Sequence, residues 1–400
     1  MESNSNTVAE DWVGAADRSL PIDASNATLV GRIWDPKVGG PSPVLVRDGL
    51  VFDVSTTFAT VRDICEQFDP AKAVRGVSGS YVDKFAALLA NTDADTRDWS
   101  RPWLLAPVDL QALKAAGVTF AVSMIERVIE EQVRGDVAAA ALIRDQILAD
   151  IGADLGSLKP GSPEANSLKK YLMAEGLWSQ YLEVGIGTDA EIFTKGQVLS
   201  AMGTAVPVGV LSSSIWNNPE PEVALIVQSS GRVVGATLGN DVNLRDVEGR
   251  SALLLPKAKD NNASCALGPL VRLFDEGFDL DKVRALSVRV EVDGPDGFHL
   301  DGISEMAQIT RDPGELVDQL VGPHHQYPDG AVLMLGTMFA PIVDRDEPNK
   351  GFTHKYDDVV RISTDALGCL VNKVKQSEKC EPWEFGTGAL MRNLSARKLL

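Results

Sequence analysis

The chain has 400 residues, 44% of them hydrophobic, and sets 38 Lys and Arg against 56 Asp and Glu for a formal charge of −18. That length exceeds a typical single domain, so two domains, or one large domain with an appendage, is the starting expectation. The acidic balance, with no clustering of Lys and Arg, argues against a nucleic-acid partner and against an anionic membrane surface.

Residues 1–20 read as a polar, flexible tail whose opening, MESNSNTVAEDW, lacks the basic start and apolar stretch of a secretion signal. Residues 21–105 read as a small N-terminal α+β domain. In it TLVGRIW, SPVLVRDG and LVFDVS are strand candidates between Gly, Pro and Asp turn signals, and VRDICEQF is a short helix. The loop chemistry of NTDADTRDWSRPWLLAP (91–107) marks the boundary to a second domain, 106–400. That domain opens with a helical insertion over about 123–182. SMIERVIEEQVRG sets Ile125, Val128, Ile129 and Val133 on one face with Gly135 as a stop, and further helices are expected over 137–152 and 163–182. After Glu183 strands dominate: VALIVQ, RVVGATLG, SVRVEVDG, AVLMLGT, DDVVRIS and LGCLVNKV. Helices ahead of strands, without regular alternation, indicate an α+β fold and not a doubly wound sheet. The apolar run AVLMLGTMFAPIV (331–343) is too short to span a bilayer, and Cys65, Cys265, Cys369 and Cys380 have neither disulfide-framework nor zinc spacing. Free thiols and a cytoplasmic location are expected.

The chemistry concentrates in NNPEPEVALIVQSSGRVVGATLGNDVNLRD (217–246). Side chains alternate along a strand, so Glu220 and Glu222 point the same way. Pro221 suits an edge or strand-start position open to solvent. If the strands pair through the SSGR turn, Asp241 at the end of the second returns beside the two glutamates. Three oxygen ligands without His or Cys favour Mg²⁺, with Mn²⁺ or Ca²⁺ as alternatives; an exposed acidic hairpin has the same spacing. Lys259 can stabilise an enolate or move protons, or be an ordinary loop lysine. Arg245 can orient Asp241 or fork onto a substrate carboxylate, or pair at the surface with Asp246 or Glu248. His299, His324, His325 and His354 lack metal-ligand spacing, and there is no GxSxG elbow or phosphate-binding loop. The glycines of LEVGIGTDAEIF lack the strand-to-helix setting that a dinucleotide needs.

Taken in order, PEPE, NDVNLRD, AKDNNASC, YPDGAVLMLGT and DDVVRISTDALGCLVNKV resemble the fumarylacetoacetate hydrolase family over roughly Thr119 to Val374. The helical insertion and GVTFAVSMIERVIEEQ resemble its sugar-acid branch, the 2-keto-3-deoxy-D-pentonate (D-arabinonate or D-xylonate) dehydratases. The resemblance implies a mixed β-sandwich roll with a small N-terminal α+β domain, and a homodimer or higher oligomer acting on a small 2-keto acid. It assigns Glu220, Glu222 and Asp241 to Mg²⁺, Lys259 and Arg245 to the reacting carbonyl and metal shell, and Thr337 to the substrate carboxylate. Lys195, in EIFTKGQ, matches a pocket lysine more weakly. Hydrolytic members carry a histidine, or a His and Glu pair, in the lid helix, where this chain reads Ser123-Met124-Ile125-Glu126. That departure favours elimination, with Ser123 at the substrate and Glu126 or Lys259 moving the proton. The implied activity is Mg²⁺-dependent dehydration to 2-oxoglutarate semialdehyde. Its competitors are acylpyruvate hydrolysis, oxaloacetate-type decarboxylation and, outside catalysis, simple binding of a sugar acid. For Glu126 the plain alternative is a solvated helix carboxylate paired with a neighbouring arginine.

Overall fold

The computed structural model describes residues 12–13, 16–134, 136, 139–140, 158–174, 176, 178–337, 339, 343–346 and 351–400. Most of the 1–20 tail, Gly135 and nearly all of the 137–152 stretch read as a helix lie outside them.

Eighteen strands occur among the described residues. The N-terminal ones are β1 (Leu29–Asp35), β2 (Gly40–Arg47), β3 (Leu50–Asp53), β4 (Ser80–Lys84) and β5 (Trp103–Leu105), followed by β6 (Ala112–Gly117) and β7 (Glu191–Gly196). Then come β8 (Val206–Val210), β9 (Asn217–Asn218), β10 (Pro221–Val227), β11 (Val233–Asp241), β12 (Asn243–Leu244) and β13 (Cys265–Leu273). The last are β14 (Ser287–Asp293), β15 (His299–Glu305), β16 (Ala331–Met334), β17 (Val359–Thr364) and β18 (Gly368–Gln376). The large sheet runs β4-β3-β2-β1-β13-β11-β10-β16-β6-β7 with β5 joined to β1; a second runs β15-β14-β17-β18-β8, and β9 pairs with β12. Most neighbours are antiparallel, while β16 with β6 and β18 with β8 are parallel, so the α+β fold has mixed sheets.

The two main sheets share an apolar core. Val223, Leu225 and Val227 of β10 join Val288, Val290 and Val292 of β14 with Val360 and Ile362 of β17, as alternation along each strand dictates. The opposite row of β10, Ala224 and Ile226, packs with Val30, Leu45 and Ile64. Thus β10 is buried on both faces. The segment 21–105 does not close a sheet of its own: β1 pairs antiparallel with β13, setting Leu29 opposite Arg272 and Val30 opposite Val271.

Three details differ from the sequence reading. Pro221 does start a strand, but β10 lies between β11 and β16 and Pro221 is buried, so it is neither an edge nor open to solvent; a first strand position tolerates the missing N–H even in mid-sheet. The stretch 163–182 holds one helix, Pro163–Ala174, and the start of another, Gln180–Ile186, whose N-terminus is capped by Ser179 accepting from the Tyr181 N–H. Strand β13 carries Pro269, which masks it in sequence, and its pairing with β11 shifts register between Ala236 and Leu238.

Candidate metal and active site

The β10–β11 hairpin forms through the SSGR turn, setting Pro221 opposite Asn240 and Glu222 opposite Gly239. The Asp241 N–H donates to the Glu220 carbonyl at 3.0 Å, so the end of one strand lies beside the start of the other. Glu220, Glu222 and Asp241 are all buried, and one oxygen from each lies within 4.8 Å of the others.

Two lysines enter this cluster. Lys259, at the end of the short helix Leu255–Lys259, donates to Glu220 Oε2 at 2.5 Å and to Asp241 Oδ2 at 3.1 Å. Lys195 of β7 lies 2.7 Å from Asp241 Oδ1 and donates to the backbone carbonyls of Val242 at 3.0 Å and Lys259 at 2.5 Å. Burial would lift the Asp241 pKa, but the two lysines outweigh it and hold Asp241 below the usual carboxylate range. Burial would likewise depress Lys259, yet Asp241 and Glu220 hold its ammonium above the ordinary value, so it is a cation. Glu222 has no such partner: it accepts from the Gly336 N–H at 2.6 Å and forms no ion pair with the described residues. Burial first, then Asp241 and Glu220, push it well above the carboxylate range.

The helix Ala121–Gln132 covers the cluster with Ser123, Glu126 and Glu130 all buried. Glu126 and Arg245 meet each other, Arg245 Nη2 donating to Glu126 Oε2 at 3.0 Å and its Nε to Glu130 Oε1 at 2.6 Å, while its guanidinium lies over the Trp216 ring. Arg245 is therefore buried and not a surface partner of Asp246 or Glu248. Arg127 pairs with Glu130, with Glu248 at 3.1 Å and with Glu220 itself. Ser123 donates to the Phe120 carbonyl at 2.9 Å, and Thr337 Oγ1 accepts from the Phe339 N–H at 3.0 Å. Two small spaces with shared walls result. Ser123, Glu220, Arg127 and Thr337 line both, Glu126 and Arg245 one, and Glu222, Asp241 and Lys259 the other. Lys195 lines neither, since its three contacts hold it behind Asp241.

Residues 220–375 match the model of the fumarylacetoacetate hydrolase C-terminal family. The chain carries a fumarylacetoacetate hydrolase family domain. A Haloferax volcanii protein named "Probable 2-keto-3-deoxyxylonate dehydratase" is 27% identical over 330 residues, 82% of this chain and 93% of its own. A Saccharolobus solfataricus 2-dehydro-3-deoxy-D-arabinonate dehydratase is 31% identical over 189 residues, 47% of this chain and 60% of its own. Among solved structures, an apo 2-keto-3-deoxy-D-arabinonate dehydratase superposes with a TM-score of 0.61 at 20% identity, covering 87% of this chain and 99% of that one. A further structure of that dehydratase, complexed with magnesium and 2,5-dioxopentanoate, superposes at 0.60. At such identity the likeness is one of fold.

The family domain supplies Glu220, Glu222, Asp241, Arg245, Lys259 and Thr337, whereas Ser123, Glu126 and Lys195 come from chain that precedes it. The sequence reading missed Arg127, Glu130, Glu248 and Glu191. Glu191, at the start of β7, lines the carboxylate space, where burial above all, then Glu248, pushes its pKa up to about 7. A Cβ on Gly117 would lie 2.0 Å from the Glu191 carboxylate, so a larger residue there would displace that carboxylate from its present position. A cation fits this donor set. Glu222 is the deciding residue, a buried carboxylate facing two others with one backbone N–H for company.

Proposed function

We propose that this protein catalyses Mg²⁺-dependent dehydration of a 2-keto-3-deoxy sugar acid, converting a 2-keto-3-deoxy-D-pentonate to 2-oxoglutarate semialdehyde and water. One observation carries the reading: three buried carboxylates converge beside a lysine cation in a space that no histidine lines among the described residues. The names of the two dehydratase relatives agree with it. Glu220, Glu222 and Asp241 would hold the ion, with Mn²⁺ or Ca²⁺ as substitutes. When bound, it supplies Lewis-acid polarisation of the keto acid.

The chain's own groups divide the remaining work. Lys259 is already cationic and placed against the carboxylates, so it serves the negative charge that develops on the C2 oxygen and not proton abstraction. Glu126 is the base for the C3 proton, oriented by Arg245, and returns that proton to the C4 hydroxyl as the C4–O bond breaks and water leaves; in the C3=C4 product a C5 proton then shifts to C3, and the C4=C5 enol ketonises, its O–H proton going to C4, to give the semialdehyde. Thr337 and Ser123 face the shared space and would bind the substrate carboxylate and hydroxyls. Lys195 would act through Asp241, which it holds ionised. About 20 Å³ is free in each space, little more than one water needs, so entry of a keto acid requires lining side chains to move apart. A cytoplasmic location and a homodimer or higher oligomer belong to the same proposal.

The experiment is a product assay. With Mg²⁺, purified protein should release 2-oxoglutarate semialdehyde from 2-keto-3-deoxypentonate and leave an acylpyruvate and oxaloacetate untouched. Pyruvate from the acylpyruvate alone would replace dehydration with hydrolysis, and turnover indifferent to a chelator would remove the metal from the chemistry.

A further inference from the structure

Away from the carboxylates, β1 carries Arg32 and Trp34 on one face, two residues apart as alternation requires. Trp34 is paired across the strands with Trp103 of β5 and with Pro41 of β2. The two indoles stack with centroids 5.8 Å apart, and Phe385 meets Trp34 edge-on at 5.2 Å. Trp383 and Phe385 from the C-terminal segment complete a cavity of about 150 Å³.

Two guanidinium groups line this cavity. Arg97 is 8% exposed, stacks at 4.5 Å over Trp103 and donates from Nη2 to the Thr92 carbonyl, while its Nε finds no acceptor among the described residues. Arg32 is 7% exposed, and neither its Nε nor its Nη1 finds an acceptor among the described residues. It forms no ion pair there either; the acid that acts on it electrostatically is Asp109, which is engaged by the backbone N–H groups of Val61 and Arg62. Burying an arginine without a counter-charge is costly, and elsewhere the same chain surrounds its buried arginines 127 and 245 with carboxylates. Glu381, exposed and also on the cavity wall, is the carboxylate nearest in effect, acting on Arg97.

We propose that this cavity binds a small organic carboxylate bearing a flat apolar ring, held by Arg32 and Arg97 through its charge and by the tryptophans through its face. The guanidinium fork is matched to a carboxylate, and a volume of about 150 Å³ holds one benzene-sized ring. The site is separate from the carboxylate cluster: none of its lining residues is shared with the two spaces there.

Benzoate is the probe, titrated into the full-length protein by calorimetry and by tryptophan fluorescence, to which Trp34, Trp103 and Trp383 would contribute. Saturable binding is expected, with acetate (charge alone) and benzamide (ring alone) each at least about tenfold weaker. Arg32→Met should weaken benzoate by at least about tenfold, and Trp383→Leu, at a position 46% exposed where folding is safe, should weaken it and reduce the fluorescence response. Absence of saturable benzoate binding would overturn the proposal, as would equal binding of benzamide. Acetate or inorganic phosphate binding as tightly as benzoate would overturn the ring-bearing ligand, and unchanged affinity in either variant would overturn the location. The comparison of small molecules on wild-type protein stands even if a variant does not fold.

Discussion

Glu191 and Lys259 sit in the same buried space with opposite electrostatic fates, and each carries a prediction. Glu191 has a folded pKa of about 7 against an ordinary 4.5, so folding favours its protonated form. That contribution is present below pH 4.5, falls as pH rises between 4.5 and about 7, and is gone above. In urea melts of metal-free protein, Glu191→Gln should therefore gain stability relative to wild type across that window and hold a constant difference at higher pH; parallel curves would remove the effect. Lys259→Met should lower kcat by about 10² to 10³-fold with a smaller change in KM, because its charge matters most where the enolate forms. An equal rise in KM with kcat intact would make Lys259 a binding residue only. Much of this site is legible in sequence: the i, i+2 glutamates and the aspartate at the far strand end need only strand geometry to meet. Arg127 and Glu130 stand i, i+3 on one helix, but the ties of Arg127 to Glu220 and Glu248 reach a strand and a short helix far along the chain, and no local spacing announces those. Glu126 and Arg245 were singled out separately, but nothing in their positions foretold that they bind each other.

At the scale of elements, the turn after β16 aims a backbone donor at the metal candidates. Gly336 has φ +88°, and a Cβ there would come within 2.1 Å of Thr119 Oγ1 and 2.9 Å of the Ala116 carbonyl. Gly336→Ala is therefore expected to cost about 2 kcal/mol or more in chemical denaturation and to weaken Mg²⁺ binding, since its N–H holds Glu222. Stability and metal affinity both equal to wild type would show that the turn adapts freely. The strands rich in valine and isoleucine, whether in runs or in alternation, such as β10, β11, β14 and β17, are readable from pattern alone. Strand β13 was hidden by its Gly-Pro interruption, and β6 and β7 by short runs that mix lysine, glycine and threonine. Their burial is decided by neighbours in the sheet and not by their own alternation.

For the whole molecule, the pairing of β1 with β13 ties residues 21–105 to the sheet that carries Asp241. The same tie is apolar: Val30 and Leu45 pack with Val271, Leu267 and Ala224. Deleting residues 1–105 should leave β13 with an unpaired edge and yield insoluble protein or a chain without a cooperative thermal transition. A soluble, cooperatively melting remainder would show that the two segments fold independently. Composition argues against a nucleic-acid or anionic-membrane partner, but the join of residues 21–105 to the rest of the sheet rests on the long-range pairing of β1 with β13, which no composition shift records.

Glu222 is held among carboxylates for the sake of a cation. Calorimetric titration of metal-free protein with Mg²⁺, wild type beside Glu222→Gln, tests this most directly. One ion should bind per wild-type chain, and affinity should fall at least about tenfold in the variant, which should also be the more stable of the two without metal at pH 7. Superimposable isotherms, or no Mg²⁺ binding to wild type, would contradict the account.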